Sequence, residues 1–184
     1  GWSGMAYQLA EACGKAEQYD EGLRVVDEAL QKTPYDGERC YETELYRLKG
    51  ALTLQQENKK EKGKSQKPKI GAVDWGLGAG SSSPQAPSLK PQVSGEVEQE
   101  AEACFLKAIE IAREKQAKSL ELRATIALAR LWYQQEKHHA AYTALSTLYG
   151  WFTEGFATPD LQETKTLLAS LKGTTGKKNK VVSR

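Results

Sequence analysis

The sequence has few of the residue types that carry chemistry. Its 184 residues include three cysteines, two histidines and one methionine. Cys13, Cys40 and Cys104 are odd in number and widely spaced. None forms a C-x-x-C pair, so neither a zinc ribbon nor a redox motif is suggested. They read as small buried hydrophobes on helices, in a reducing cytoplasm. His138 and His139 are adjacent, and adjacent helical side chains point about 100° apart, so they cannot share a metal as an i, i+4 pair can. They read as solvated turn residues. Neither sign of charge dominates: 26 Lys and Arg against 24 Asp and Glu leave a net +2. That balance argues against a dedicated nucleic-acid binder. No apolar run approaches the ~20 residues that cross a bilayer. The start, Gly1-Trp2-Ser3-Gly4, has no initiator Met and no charged region before an apolar stretch. It is not a signal peptide, and it reads as the interior of a longer polypeptide.

What the chain does contain suits a soluble globular protein, with 39% apolar and 27% charged residues. Three segments share one helix-pair pattern. The leading helix carries a small residue: Ala10, Gly50 or Ala129. The following helix carries a stripe at offsets 0, 4 and 7, on one helical face. The stripes are Gly22-Val26-Ala29, Ala101-Phe105-Ala108 and Ala141-Leu145-Leu148. Ala10 to Gly50 is 40 residues, and Ala101 to Ala141 is also 40. Gly50 to Ala129 is 79, an excess of 39. Within the outer pairs the two anchors lie 12 apart, but Gly50 and Ala101 lie 51 apart, again 39 too many. One insertion inside the middle pair accounts for both excesses.

That insertion is assigned to residues 56–95, rich in Lys, Gly, Ser, Pro and Gln. It has no apolar periodicity and reads as a disordered loop. Helices are expected at 2–16, 19–32, 36–55, 96–116, 118–136, 138–150 and 159–172, followed by a flexible basic tail over 173–184. Thr158-Pro159-Asp160 is the start signal of the last helix: a capping hydroxyl, Pro at the first helical position and an acid in the first turn. The expected fold is all-α, an antiparallel helix-pair solenoid of about three repeats plus a C-terminal helix. Its divisions are 1–55, the insert 56–95, 96–172 and the tail. The first pair shows no cap, so its outer face is expected to be sticky, or covered by an upstream part of the polypeptide.

Several constellations are candidate sites. Gly76-Leu77-Gly78-Ala79-Gly80-Ser81 is glycine-rich, but no Gly-Lys-Ser/Thr follows and no helix opens after it. The acids Glu96, Glu98, Glu100 and Glu102 read as helix-dipole complements on a solvated face. Lys59, Lys60, Lys62, Lys64, Lys67 and Lys69 form the strongest charge cluster. An acidic partner, RNA or an anionic membrane is the functional alternative to a solubilising disordered loop, which is favoured; no aromatic interleaves with the lysines, so base stacking has no platform. Trp75 is either a docking motif or incidental packing, and both readings stand. Trp132, Tyr133, Trp151, Phe152 and Phe156 read as core and end-cap packing. No catalytic constellation, cofactor site or metal site is expected.

The small residues Ala10, Gly50 and Ala129 with their stripes resemble the tetratricopeptide pattern, although Cys13, Thr53 and Trp132 stand where that pattern usually has Tyr. A second set of segments is more specific. Glu44-Leu45-Tyr46-Arg47-Leu48-Lys49-Gly50, Glu100-Ala101-Glu102-Ala103-Cys104-Phe105 and Leu128-Ala129-Arg130-Leu131-Trp132 belong to it. So does Tyr149-Gly150-Trp151-Phe152-Thr153-Glu154-Gly155-Phe156. These resemble the C-terminal repeat region of large bacterial signalling ATPases, which often carry an adenylate/guanylate cyclase or DNA-binding domain upstream. The resemblance implies a non-catalytic protein-interaction or sensor scaffold. It also implies that the first helix of each pair lines a groove, placing Tyr7, Glu11, Lys15, Glu44, Arg47, Arg123, Arg130 and Tyr133 on it. The expected partner is a protein or peptide, or an upstream domain held inactive by the repeats. Specific nucleic acid and a membrane span are not expected. An enzyme in its own right is the remote alternative.

Overall fold

The computed structural model describes residues 2–32, 40–65 and 95–178, with residues 40, 62–65 and 173–178 described as backbone only. The described chain is all α: α1 (Trp2–Lys15), α2 (Tyr19–Lys32), α3 (Cys40–Ser65), α4 (Gly95–Glu114), α5 (Lys118–Gln134), α6 (His138–Tyr149) and α7 (Pro159–Lys178). Every other helix start falls within one residue of expectation; residues 36–39, where α3 is expected to begin, lie outside the described residues. Acids open α2 (Asp20, Glu21) and α4 (Glu96, Glu98), and Lys32 and Arg113 close them, complementing the helix dipole at both ends. At α7 the Thr158 hydroxyl turns back and donates to the Gly155 carbonyl at 2.8 Å, so it ties the preceding loop, and Pro159 opens the helix.

Two ends differ from expectation. α3 runs to Ser65 rather than 55, and α7 runs to Lys178 rather than 172. The expected end of α3 was set by loss of apolar periodicity, which measures burial and not helicity. Residues 56–62 are mostly Gln, Glu and Lys, all good helix formers. Lys59 anchors the extension: its Nζ donates to the Glu17 carbonyl at 3.0 Å and meets the Glu17 carboxylate at 3.1 Å. Lys59 and Lys60 therefore stand on a helix. The rest of the expected insert, with Trp75 and the glycine run, lies outside the described residues, as does the end of the basic tail.

Each helix packs on its chain neighbours wherever they are described. The odd-numbered helices also touch one another, α1 on α3, α3 on α5 and α5 on α7. Among the described residues no two even-numbered helices touch. Small residues let neighbouring helices approach closely. A Cβ on Gly22 would lie 3.3 Å from the Cys13 Cβ and 3.4 Å from the Ala10 carbonyl. A Cβ on Gly50 would lie 2.7 Å from the Phe105 ring and 3.0 Å from the Ala101 carbonyl. Ala129 and Ala141 are fully buried in the third pair. Three adjoining apolar clusters fill the interior. One joins α1, α2 and α3 around Val26 and Leu45, and one joins α3, α4 and α5 around Phe105. The third joins α5, α6 and α7 around Leu145 and Leu171.

Three helix ends share one turn. Glu17, Gln116 and Glu136 have φ of 57°, 54° and 60°, the left-handed region. The next residue's N–H donates five residues back: Gln18 to Cys13, Ala117 to Ala112 and Lys137 to Trp132, at 2.8, 2.9 and 2.8 Å. This is the Schellman end, which normally takes Gly at the left-handed position. Glu136→Gly is therefore expected to raise the unfolding free energy by about 0.5–1 kcal/mol, because a side chain at that φ costs about 1–2 kcal/mol and the flexibility of Gly returns part of it to the unfolded state. Urea melts read by far-UV circular dichroism test this, and a lowered midpoint would refute it.

Candidate functional site

Four of the eight expected groove residues form one network across α1, α3 and α5. Glu44 is its centre and is 6% exposed. Its Oε2 accepts a hydrogen bond from Arg47 Nε at 2.7 Å. The Arg47 guanidinium also donates through Nη2 to the Tyr7 hydroxyl at 3.2 Å. On the other side, Arg123 Nη1 lies 3.5 Å from Glu44 Oε1. Arg123 Nε donates to Asp160 Oδ2 of α7 at 2.8 Å. The network thus bridges all four odd-numbered helices. Burial pushes the Tyr7 phenol up, and the nearby Arg47 only partly counters it, so the hydroxyl stays protonated as an acceptor and donor. The hydrogen bond to Asp160 holds Arg123 firmly protonated.

A shallow cavity of about 280 Å³ opens beside this network, lined by Tyr7, Tyr41, Glu44, Leu120 and Arg123. Its rim is accessible, since Tyr41 and Arg123 are both exposed. It offers two phenol rings, a buried carboxylate and a guanidinium. Such a set can bracket a side chain and hydrogen-bond a peptide backbone.

The other four expected residues make different contacts. Glu11 and Lys15 pair with each other at 3.1 Å along α1. Arg130 pairs with Glu163 of α7. Tyr133 packs its ring on His138, with centroids 5.0 Å apart. His138 is accordingly half-buried against an aromatic ring, not a solvated turn residue, whereas His139 is exposed. Tyr41, Leu120 and Asp160 were not singled out by sequence reasoning as groove residues. Tyr41 precedes Glu44 by nearly one turn, which was an available signal. Asp160 is 37 residues from Arg123, and nothing local announces that pairing.

Two further features of the surface differ from expectation. Glu98 and Glu102 do not lie on a solvated face. Glu98 Oε2 accepts from Gln135 Nε2 at 2.8 Å, and Glu102 Oε1 accepts from Trp132 Nε1 at 2.9 Å. The antiparallel run of α4 against α5 brings the start of one beside the end of the other. Trp151 and Phe156 are not core: they are 59% and 46% exposed, because the loop between α6 and α7 carries them outward. Trp132 and Phe152 are half-buried.

No group of three or more His, Cys, Asp or Glu side chains is placed to hold a metal among the described residues. Cys13 and Cys104 are buried free thiols. Burial pushes the Cys104 thiol up, which removes the thiolate a nucleophile needs at neutral pH. No described helix is long and apolar enough to cross a membrane. Comparison with protein-family models, with curated proteins and with solved structures found no match to this chain.

Proposed function

We propose that this chain is a non-catalytic, tetratricopeptide-like interaction module that presents the face shared by α1, α3 and α5 to a peptide or to another domain. In this reading it is the C-terminal regulatory region of a larger signalling ATPase or cyclase. The observation that carries the reading is the Tyr7–Arg47–Glu44–Arg123 network. It sets a buried carboxylate and two guanidiniums beside an open cavity, on helices that touch one another in succession. Pre-organised charged groups of this kind favour a polar segment with fixed register. The resemblance to signalling ATPases and the open cavity both support this reading.

The test begins with peptides selected from a random displayed library on the immobilised chain. Tyr41→Ala and Arg123→Ala are each expected to weaken the selected peptides about tenfold, the effect of losing one anchoring contact. Arg24→Ala, on an exposed part of α2, leaves them unchanged. Peptides that bind the wild type and both cavity variants equally remove this face from consideration.

A further inference from the structure

The three pairs can be superposed in register through Ala10, Gly50 and Ala129, and this step rests on the proposed reading of the pairs as copies of one unit. In that register Met5, Leu45 and Ala124 are equivalent. So are Leu9, Lys49 and Leu128, and so are Ala12, Leu52 and Leu131. Their exposures are opposite. On α5 the three positions are at most 2% exposed, and on α3 Leu45 and Leu52 are at most 1% exposed. On α1, Met5 is 61% and Leu9 53% exposed, and Ala12 is also exposed.

What covers this face on α3 and α5 is the preceding helix pair, its second helix together with its first: Leu52 also meets Gly14 of α1. Leu45 packs with Val25, Val26 and Ala29 of α2, and Lys49 Nζ binds Asp27 of α2 at 2.7 Å. Ala124, Leu128 and Leu131 pack with Phe105, Ala108 and Ile109 of α4. α1 therefore presents the next member of an interface the chain already makes twice.

We propose that the Met5–Leu9–Ala12 face of α1 is a docking site for an amphipathic helix of the α2 and α4 kind, supplied by a further helix pair that packs on α1 as α4 packs on α5. The chemistry of the incoming helix is specified. It carries small residues around one large apolar residue, as Ala101, Phe105 and Ala108 do. It lacks the charges that α2 and α4 provide, because Leu9 stands where Lys49 meets Asp27 and Trp2 stands where Glu121 meets Arg113. A head-to-tail second copy does not meet this description, since the exposed face of α7 carries Gln162, Lys165, Thr166 and Ser170. A symmetric second copy has too little to bury: three partly exposed side chains are a small part of the ~800 Å² per partner that a stable dimer needs.

The probe is a peptide with the sequence of residues 95–112, which leaves out Arg113, held helical by a side-chain bridge between positions 99 and 103, which are both exposed in α4. It is titrated into the isotope-labelled full chain and followed by backbone amide shifts. Saturable shifts confined to α1 are expected. Met5→Asp with Leu9→Asp in the chain, or Phe105→Ala in the peptide, weakens binding by about tenfold or more through lost apolar burial. Circular dichroism checks that the Asp variant keeps its helicity, as exposed positions allow. Absent shifts, or shifts centred on α3 and α5, overturn the proposal. Self-association of the wild type that the same two Asp substitutions abolish overturns it too, and assigns the face to a second copy. Arg123→Ala leaves this titration unchanged while weakening peptides selected on the cavity, so either reading can fail without the other.

Discussion

Phe105→Ala is expected to cost about 3–5 kcal/mol of unfolding free energy, the range for emptying a buried aromatic site. The ring is 1% exposed and stands between α3 and α4, against Gly50 on one side and the cluster with Ala124 and Leu128 on the other. α3 and α4 share the most extensive helix contact among the described residues, although 29 residues separate them in the chain. Their packing therefore holds the two parts of the protein together. Urea unfolding followed by far-UV circular dichroism measures the loss, and a change under about 1 kcal/mol is incompatible with a site this well filled. Gly50→Ala is the companion measurement. In an open helix that change gains about 1 kcal/mol. Here the new methyl meets the Phe105 ring at 2.7 Å, so overpacking costs about 1–3 kcal/mol instead. In the Phe105→Ala background the ring is gone, and the cost of Gly50→Ala falls sharply. Additive effects of the two substitutions would show that they do not touch.

Arg113→Ala combined with Lys118→Ala is expected to cost about 3 kcal/mol at neutral pH by stranding a buried carboxylate. Glu121 is 3% exposed, at the point where α5 leaves α4. Arg113 Nε donates to its Oε1 at 2.7 Å, and Lys118 Nζ donates to its Oε2 at 2.8 Å. Burial pushes the Glu121 carboxyl up, but these hydrogen bonds outweigh it and hold the group below its ordinary value. A depressed folded pKa contributes stability that is complete above the unfolded carboxylate value of about 4.3 and is lost as pH falls through the folded value. In the double variant only burial remains, so the folded pKa lies above the unfolded one. The sign then reverses: the contribution is present at low pH and is lost as pH rises through the folded value. The wild type thus loses stability on acidification below the carboxylate range, and the variant recovers part of its deficit there. Adding Glu121→Gln to the variant returns most of the neutral-pH loss. Parallel stability curves for wild type and variant across the acid range would show that Glu121 is not held by these two cations.

The order of the seven described helices was legible because apolar spacing and start signals act within a few residues of chain. The pairing of Gly50 with Ala101 and Phe105 was legible across a long interruption, because a small residue facing a small–large–small stripe repeats in the outer pairs. The end of α3 was not. Residues 56–62 are mostly helix-forming Gln, Glu and Lys without an apolar stripe, so their helicity depends on propensity and on Lys59 reaching Glu17. The groove residues were read from a resemblance, and the contacts separated them. Tyr7, Glu44, Arg47 and Arg123 meet, whereas Arg130 is drawn to Glu163 and Tyr133 to His138.

By itself the sequence determined what local forces control: helix identity, most helix starts, the small residues that let helices approach, and a composition without a metal or nucleophile motif. The tertiary structure decided what depends on which helix ends lie side by side. Glu98 and Glu102 became links to α5, Arg123 found Asp160, and Trp151 turned outward. It also left Met5 and Leu9 exposed on α1 while their counterparts on α3 and α5 are covered. A charged side chain takes the nearest partner in space, and an apolar one is buried only if another element arrives to cover it. Neither condition is written in the spacing of residues along one helix.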